Sequence, residues 1–356
     1  MTDFRGPGVR SYELVIGLMV LLALGLAIAG GARAQESAVV LIYHRFGETK
    51  LPATDIQLDQ FEAHLDELAN GDYHVIALAD MVAALRHGQP LPDRAVAITI
   101  DDAFRSVYEE ALPRLRAKGF PFTLFVATDP VDAGRSGYMT WDELRTLIHE
   151  GGRIGNHTAD HTSLLVATAD AARRQIARAS QRIEEELGVS PKLFAYPYGE
   201  YSLATRKIVA DAGFDAAVAQ YSGAIGRNTD LLALPRFALN EKYGNIGRFR
   251  LIADALALPV RDVVPVDPLI TRNPPAFGFT VAGPVRGLSV LQCFPSHLPG
   301  AAALERLGKH RFEVRFSEPF PPGRSRINCT MPGPKGRWYW FGRPFFVASH
   351  GHYRTP

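Results

Sequence analysis

Apolar residues run from Leu14 to Gly31 with no charged break, and beyond Val39 the chain settles into alternating apolar blocks and amphipathic stretches. VVLIYHRF is strand-like, and LDQFEAHLDELANGDY carries Leu58, Phe61, Leu65 and Leu68 at helical spacing. The pair then recurs. AVAITI is a strand before the helix VYEEALPRLRAKG, and FPFTLFVA a strand before WDELRTLIHEG. GGRIGNHT gives a short strand ending at His157, followed by the helix ARRQIARASQRIEEELG, which Gly188 closes. KLFAYPYG, TRKIVADAGF and AAVAQYSG continue as strand and turn, helix, strand. Repeated units of this kind predict an α/β fold on a parallel sheet, open or closed into a barrel.

The pattern changes near Leu258. Pro259, Pro265, Pro268, Pro274 and Pro275 fall close together, as in a stiff linker. Beyond them GFTVAG, GLSVLQCF, HRFEVRFS, RINCTMP and RWYWFGRPFFVAS read as strands joined by Gly/Pro turns, predicting a small all-β sandwich. The expected organisation is therefore an N-terminal segment 1–34, a catalytic-sized domain 37–250, a Pro-rich linker 251–275 and a β-rich domain 276–350.

The first segment carries Arg5 and Arg10 before its apolar run and Ala32-Arg33-Ala34 after it, the layout of a signal peptide cut after Ala34. The run also lies near the lower limit for crossing a bilayer, so an uncleaved membrane anchor is the alternative. Both predict export, to the periplasm or cell envelope. With 39 Lys and Arg against 37 Asp and Glu, the net charge of +2 offers no nucleic-acid footprint. Export leaves Cys293 and Cys329 open to pairing, with two separate buried thiols as the other reading. They lack the CxxC spacing of a metal site.

The chemistry concentrates at strand ends. AVAITIDDAFR closes an apolar run with Asp101 and Asp102, which alternation sends in different directions. One aspartate would suffice to cap the following helix; two suggest divided roles. NHTADH supplies His157 and His161, whose spacing of four suits one face of a helical turn. Two imidazoles plus a carboxylate suit a catalytic divalent metal with open positions. In FAYPYGE, Pro197 and Gly199 force a turn that can aim a backbone N–H at an oxyanion.

TIDDAF, HTADH and FAYPYGE, in this order across roughly Val39 to Asn240, resemble the three leading motifs of the polysaccharide deacetylases, the NodB-homology family. The resemblance implies a distorted (β/α) barrel with a metal at the carboxyl ends of its strands. It implies Asp101 as general base, Asp102, His157 and His161 as metal ligands, and the Tyr198 N–H as an oxyanion donor. Three departures stand out: Ala103 where the first motif usually ends in Gly, Ala195 where the third often begins with Arg, and no Leu-x-x-His after the third motif within the stretch to Asn240. LIYHRFGE resembles the opening strand of the subgroup acting on poly-β-1,6-N-acetylglucosamine, where the acid histidine comes from the start of the domain. His44 is then the expected general acid, and Arg236 in LALPRFALN the expected orienter of Asp101. The implied activity is metal-dependent removal of N-acetyl groups from a polysaccharide, with zinc the default metal and cobalt, nickel or iron able to use the same donors. Alternatives are a peptidoglycan or chitooligosaccharide deacetylase and a non-catalytic carbohydrate-binding protein. Trp338, Tyr339 and Trp340 either stack on sugars or pack as core strands.

Overall fold

In the computed structural model, residues 1–2 and 37–348 are described. The apolar run and the expected cleavage site at Ala34 lie outside them. Among the described residues, no helix is long and apolar enough to cross a membrane.

The strands Ser37–Tyr43 and Ala95–Asp101 are buried at every position, as expected where both faces of a parallel sheet are covered. They pair in parallel, and Phe122–Val126, Arg153–Asn156, Leu193–Ala195 and Ala216–Val218 follow in spatial order, each parallel to the last. Val96, Ile98 and Ile100 face the helices, where Phe61, Leu65, Leu112 and Leu115 join the same cluster. Ala95 and Ala97 face the other way, into a cluster with Val40, Phe125, Ala195, Val218 and Leu234. This second cluster lines the concave face of the sheet.

A short segment bridges the two sides of the curl. Leu234 exchanges backbone hydrogen bonds with Ala217 and Ala219 beside one edge strand. A few residues later, Phe237–Ala238 pairs in parallel with Ser37–Tyr43 on the other side. The result is the distorted barrel expected from the motifs, and residues 234–239 close it.

Two antiparallel-rich sheets follow as a sandwich. One holds Leu256–Ala257, Leu269–Ile270, Gln292–Pro295, Gly323–Pro332 and Trp338–Val347; the other holds Val260–Val264, Phe277–Val281, Ala303–Leu307 and Arg311–Arg315. Phe277, Phe279, Phe312, Ile327 and Phe345 fill the space between them. The stretch 251–275, expected as a linker, instead contributes three of these strands. Its prolines fall between strands, at Pro259, Pro265 and Pro268, because a residue without an N–H ends a ladder as readily as it stiffens a tether.

Cys293 and Cys329 are directly opposed in neighbouring strands and form a disulfide across 36 residues of chain. Closing a loop of that length stabilises by about 4 kcal/mol in the chain-entropy account. The Cys293→Ala/Cys329→Ala variant is therefore expected to melt several degrees lower, read by calorimetry; an unchanged Tm would show that the bridge constrains little.

Barrel and sandwich fall within one compact unit. Arg337 is buried at their junction, donating to the Asp254 carbonyl at 2.8 Å and the Asp93 carboxylate at 2.7 Å. A Cβ at Gly342 would lie 1.7 Å from the Ser222 carbonyl oxygen, so only glycine permits this approach. Trp340 packs against the barrel rather than in the sandwich core. Its ring meets Phe237 of the closing segment edge-on, with centroids 5.1 Å apart. Tyr339 packs against the sandwich core, and Trp338 is exposed.

Candidate active site

Alternation carries the concave face of Ala95–Asp101 from Ala95 and Ala97 through Thr99 to Asp101. Asp101 therefore points into the barrel mouth, where the fully buried Arg236 meets it. Arg236 Nη1 donates to Oδ1 at 2.7 Å and Nη2 to Oδ2 at 2.8 Å, a paired geometry that fixes the carboxylate plane. Arg236 is itself held, with Nε donating to the Ala219 carbonyl at 2.8 Å and Nη1 to Thr99 Oγ1 at 3.2 Å.

The strand then breaks. Asp102 and Ala103 adopt φ of 79° and 56°, the left-handed region, and this reversal turns Asp102 toward the histidines. That conformation costs a non-glycine residue about 1–2 kcal/mol. Burial of the Ala103 methyl offsets about 0.8 kcal/mol of that cost, which narrows the disadvantage of alanine against glycine here.

His157 and His161 do not share a helical turn. Residues 157–161 are irregular, with Thr158 and His161 at φ 65° and 61°. Asn156 Oδ1 accepts from the Thr158 N–H at 2.8 Å, and Thr158 Oγ1 from the His161 N–H at 3.1 Å. These side-chain bonds fold the loop where a helix was expected, because Asn and Thr satisfy nearby backbone groups directly.

The loop still brings both imidazoles to Asp102. Asp102 Oδ1 lies 3.4 Å from His157 Nε2 and 3.2 Å from His161 Nε2, and the two Nε2 atoms are 3.1 Å apart. Donors bound tetrahedrally to one ion at 2.0–2.2 Å sit roughly 3.3–3.6 Å from one another. The triad's spacings of 3.1, 3.2 and 3.4 Å fall within a few tenths of an ångström of that range. His157 Nδ1 donates to the Ala195 carbonyl at 2.8 Å, which leaves the Nε2 lone pair facing the other donors. Asp101 Oδ2 stands 3.8 Å from His157 Nε2 and is taken up by Arg236.

Charge follows the same division. Burial pushes the Asp101 carboxyl up, but Arg236 and His157 outweigh it and hold the group below the usual carboxylate range. Burial is likewise overcome at Asp102, chiefly by the hydrogen bond and charge of His157. Burial lowers His157, yet Asp101 and Asp102 raise it above the ordinary value. Burial and the neighbouring His157 bring His161 down to about 4. At His44, burial again dominates and lowers the pKa, against the pull of the Asp102 and Asp101 charges, which reach this half-buried ring.

Pro197–Gly199 forms one short turn in which Tyr198 has φ 59° and stands exposed. Its ring meets His161 edge-on at 4.6 Å. A Cβ at Gly199 would lie 2.2 Å from the Gln220 backbone nitrogen, which fixes glycine there. Opposite, Tyr138 packs on Phe104 at 4.9 Å and its hydroxyl feels both Asp102 and Tyr198. The structure thus gathers Asp101, Asp102, His157, His161, Arg236, Tyr198 and His44 at one mouth. Thr99 and Asn156 escaped the sequence reading. The signal was there: a threonine on the face of Asp101 in an apolar strand, and an asparagine directly before His157.

Residues 88–217 match the family described as polysaccharide deacetylase. The chain carries a polysaccharide deacetylase domain. The chain is 23% identical over 235 residues to a poly-β-1,6-N-acetyl-D-glucosamine N-deacetylase of Staphylococcus aureus, covering 58% of this chain and 80% of that protein. Among solved structures it is similar to the Streptococcus pyogenes deacetylase PplD in complex with acetate, at TM-score 0.58 and 20% identity, covering 62% and 99% of the two chains. IcaB from Ammonifex degensii aligns at TM-score 0.55 and 25% identity, covering 62% and 97%. More than a third of this chain therefore lies outside what aligns with either structure.

Proposed function

We propose that this chain is a metal-dependent N-deacetylase acting on N-acetylglucosamine units of an exported or cell-envelope polysaccharide. The observation that carries the reading is the split between adjacent carboxylates: Asp102 joins the two imidazoles while Arg236 keeps Asp101 apart. Relatives of the kind named for poly-β-1,6-N-acetyl-D-glucosamine support the polymer, and the leader-like N-terminus and the disulfide support export.

Asp102, His157 and His161 would hold the ion, and a bound zinc, or cobalt, nickel or iron, would supply an acidified water and a polarised acetyl carbonyl. Asp101, ionised and fixed by Arg236, accepts the proton of the attacking water. The Tyr198 N–H, presented by the Pro-Tyr-Gly turn, meets the developing oxyanion. His44 gives a proton to the departing amine, so acetate and a free glucosamine unit leave.

The test is acetate release from poly-β-1,6-N-acetylglucosamine, chitooligosaccharides and peptidoglycan, alongside metal analysis of the purified protein. Release from the first polymer, abolished by chelation, is the expected result. Release only from another glycan reassigns the substrate, and glycan retention with no acetate makes this a binding protein.

A further inference from the structure

The sandwich reaches into the proposed site through one side chain. Arg324, second residue of the strand Gly323–Pro332, donates from Nη1 to the Tyr198 carbonyl at 3.1 Å. Its guanidinium lies 5.7 Å from the Tyr198 ring centroid, and its Nε is 3.6 Å from Glu200 Oε1. Glu200 is buried, and its other carboxylate oxygen accepts from Ser163 Oγ. Ser163 lies two residues beyond His161, whose ring touches Tyr198. The contacts thus close a circuit: His161 loop, Ser163, Glu200, Arg324, Tyr198 and back to His161.

Arg324 enters this circuit from a rigid base. Its strand partner is Phe346, whose N–H donates to the Pro268 carbonyl and whose ring meets Tyr201 edge-on at 6.2 Å. Asp267 Oδ1 accepts from the Leu203 N–H at 3.3 Å, so the sandwich edge also grips the chain just after the turn. The Tyr198 carbonyl lies in the peptide plane shared with Gly199, which the Tyr198 φ and ψ join to the plane that carries the Tyr198 N–H. A fork that holds the carbonyl therefore removes one of the two planes' freedom and restricts how the turn can present the N–H.

We infer that Arg324 is a positioning residue of the active site: the C-terminal sandwich uses it to lock the Tyr198 turn and the His161 loop in register. The inference rests on the deacetylase reading only for its effect on rate. Because Arg324 is half exposed, its ion pair with Glu200 adds little to global stability. Small misplacement of a reacting group is far more costly to catalysis, so Arg324→Ala should separate the two effects.

In the full chain, Arg324→Ala is expected to lower kcat roughly tenfold while KM, bound metal and Tm stay near the parent values. Amide hydrogen exchange in peptides spanning 157–163 and 196–202 should quicken at least about threefold. Arg324→Lys, with one donor direction instead of a fork, should recover part of both losses. Arg326→Ala, which removes the same charge two residues along the same strand face, serves as the control and should match the parent. Exchange and kcat of Arg324→Ala equal to those of Arg326→Ala would overturn the inference. So would a lower kcat with exchange unchanged in both loops, since Arg324 would then act on substrate directly. A parent that releases no acetate from any glycan, with both loops still loosened by Arg324→Ala, overturns the deacetylase reading and leaves the coupling intact.

Discussion

Asp101→Asn is expected to keep its metal and lose roughly two to four powers of ten in kcat, the share a general base commonly supplies. The amide still accepts from Arg236 but cannot take a proton from water. His157→Ala and Asp102→Asn should instead lose bound metal and activity together, since three protein donors leave no redundancy. Stability needs watching in the first variant. Breaking a buried ion pair by removing one charge can cost about 3–5 kcal/mol, because the remaining Arg236 charge has no water to turn to. Metal content and rate should therefore be measured on folded protein, with the melting curve recorded beside them. Loss of metal from folded Asp101→Asn would mean that the two aspartates have their roles exchanged.

The second large effect concerns His44. If this ring protonates the leaving amine, His44→Ala should cut amide hydrolysis by roughly two powers of ten or more with metal content unchanged. An acetyl ester with a good leaving group needs little protonation and should be affected far less. The pH profile gives an independent reading. An acid must carry its proton, so the parent rate falls as pH rises through the His44 pKa, and the variant should lack that limb. Burial lowers this pKa, which places the limb on the acid side of an ordinary histidine. Equal losses on amide and ester, accompanied by a lower Tm, would make His44 a packing residue.

The barrel was legible because its strands are short, apolar and punctuated, and because the chemistry stands at their ends. Asp101 and Asp102 follow directly from alternation. The path of the His157–His161 loop does not, since a spacing of four suits a helix and neither Thr158 nor His161 advertises a positive φ as glycine would. The prolines of 251–275 misled for a related reason: they mark strand ends and tethers alike. Trp340 and Arg324 were unreadable for a different one. Their roles depend on how the sandwich seats against the barrel, and no local periodicity encodes that docking.

Arg236 sits on the last segment to complete the barrel, 135 residues after the carboxylate it grips. Every proposed metal donor and the base itself lie earlier in the chain, so a nascent protein has all of them before it has their organiser. Until residues 234–239 dock, Asp101 lacks the guanidinium that pairs with both of its oxygens and fixes its plane. Long-range closure of this kind is entropically the late step in folding. If Asp101 is the base proposed above, proton-transfer competence belongs to the finished barrel, and acetate release would double as an assay for its closure.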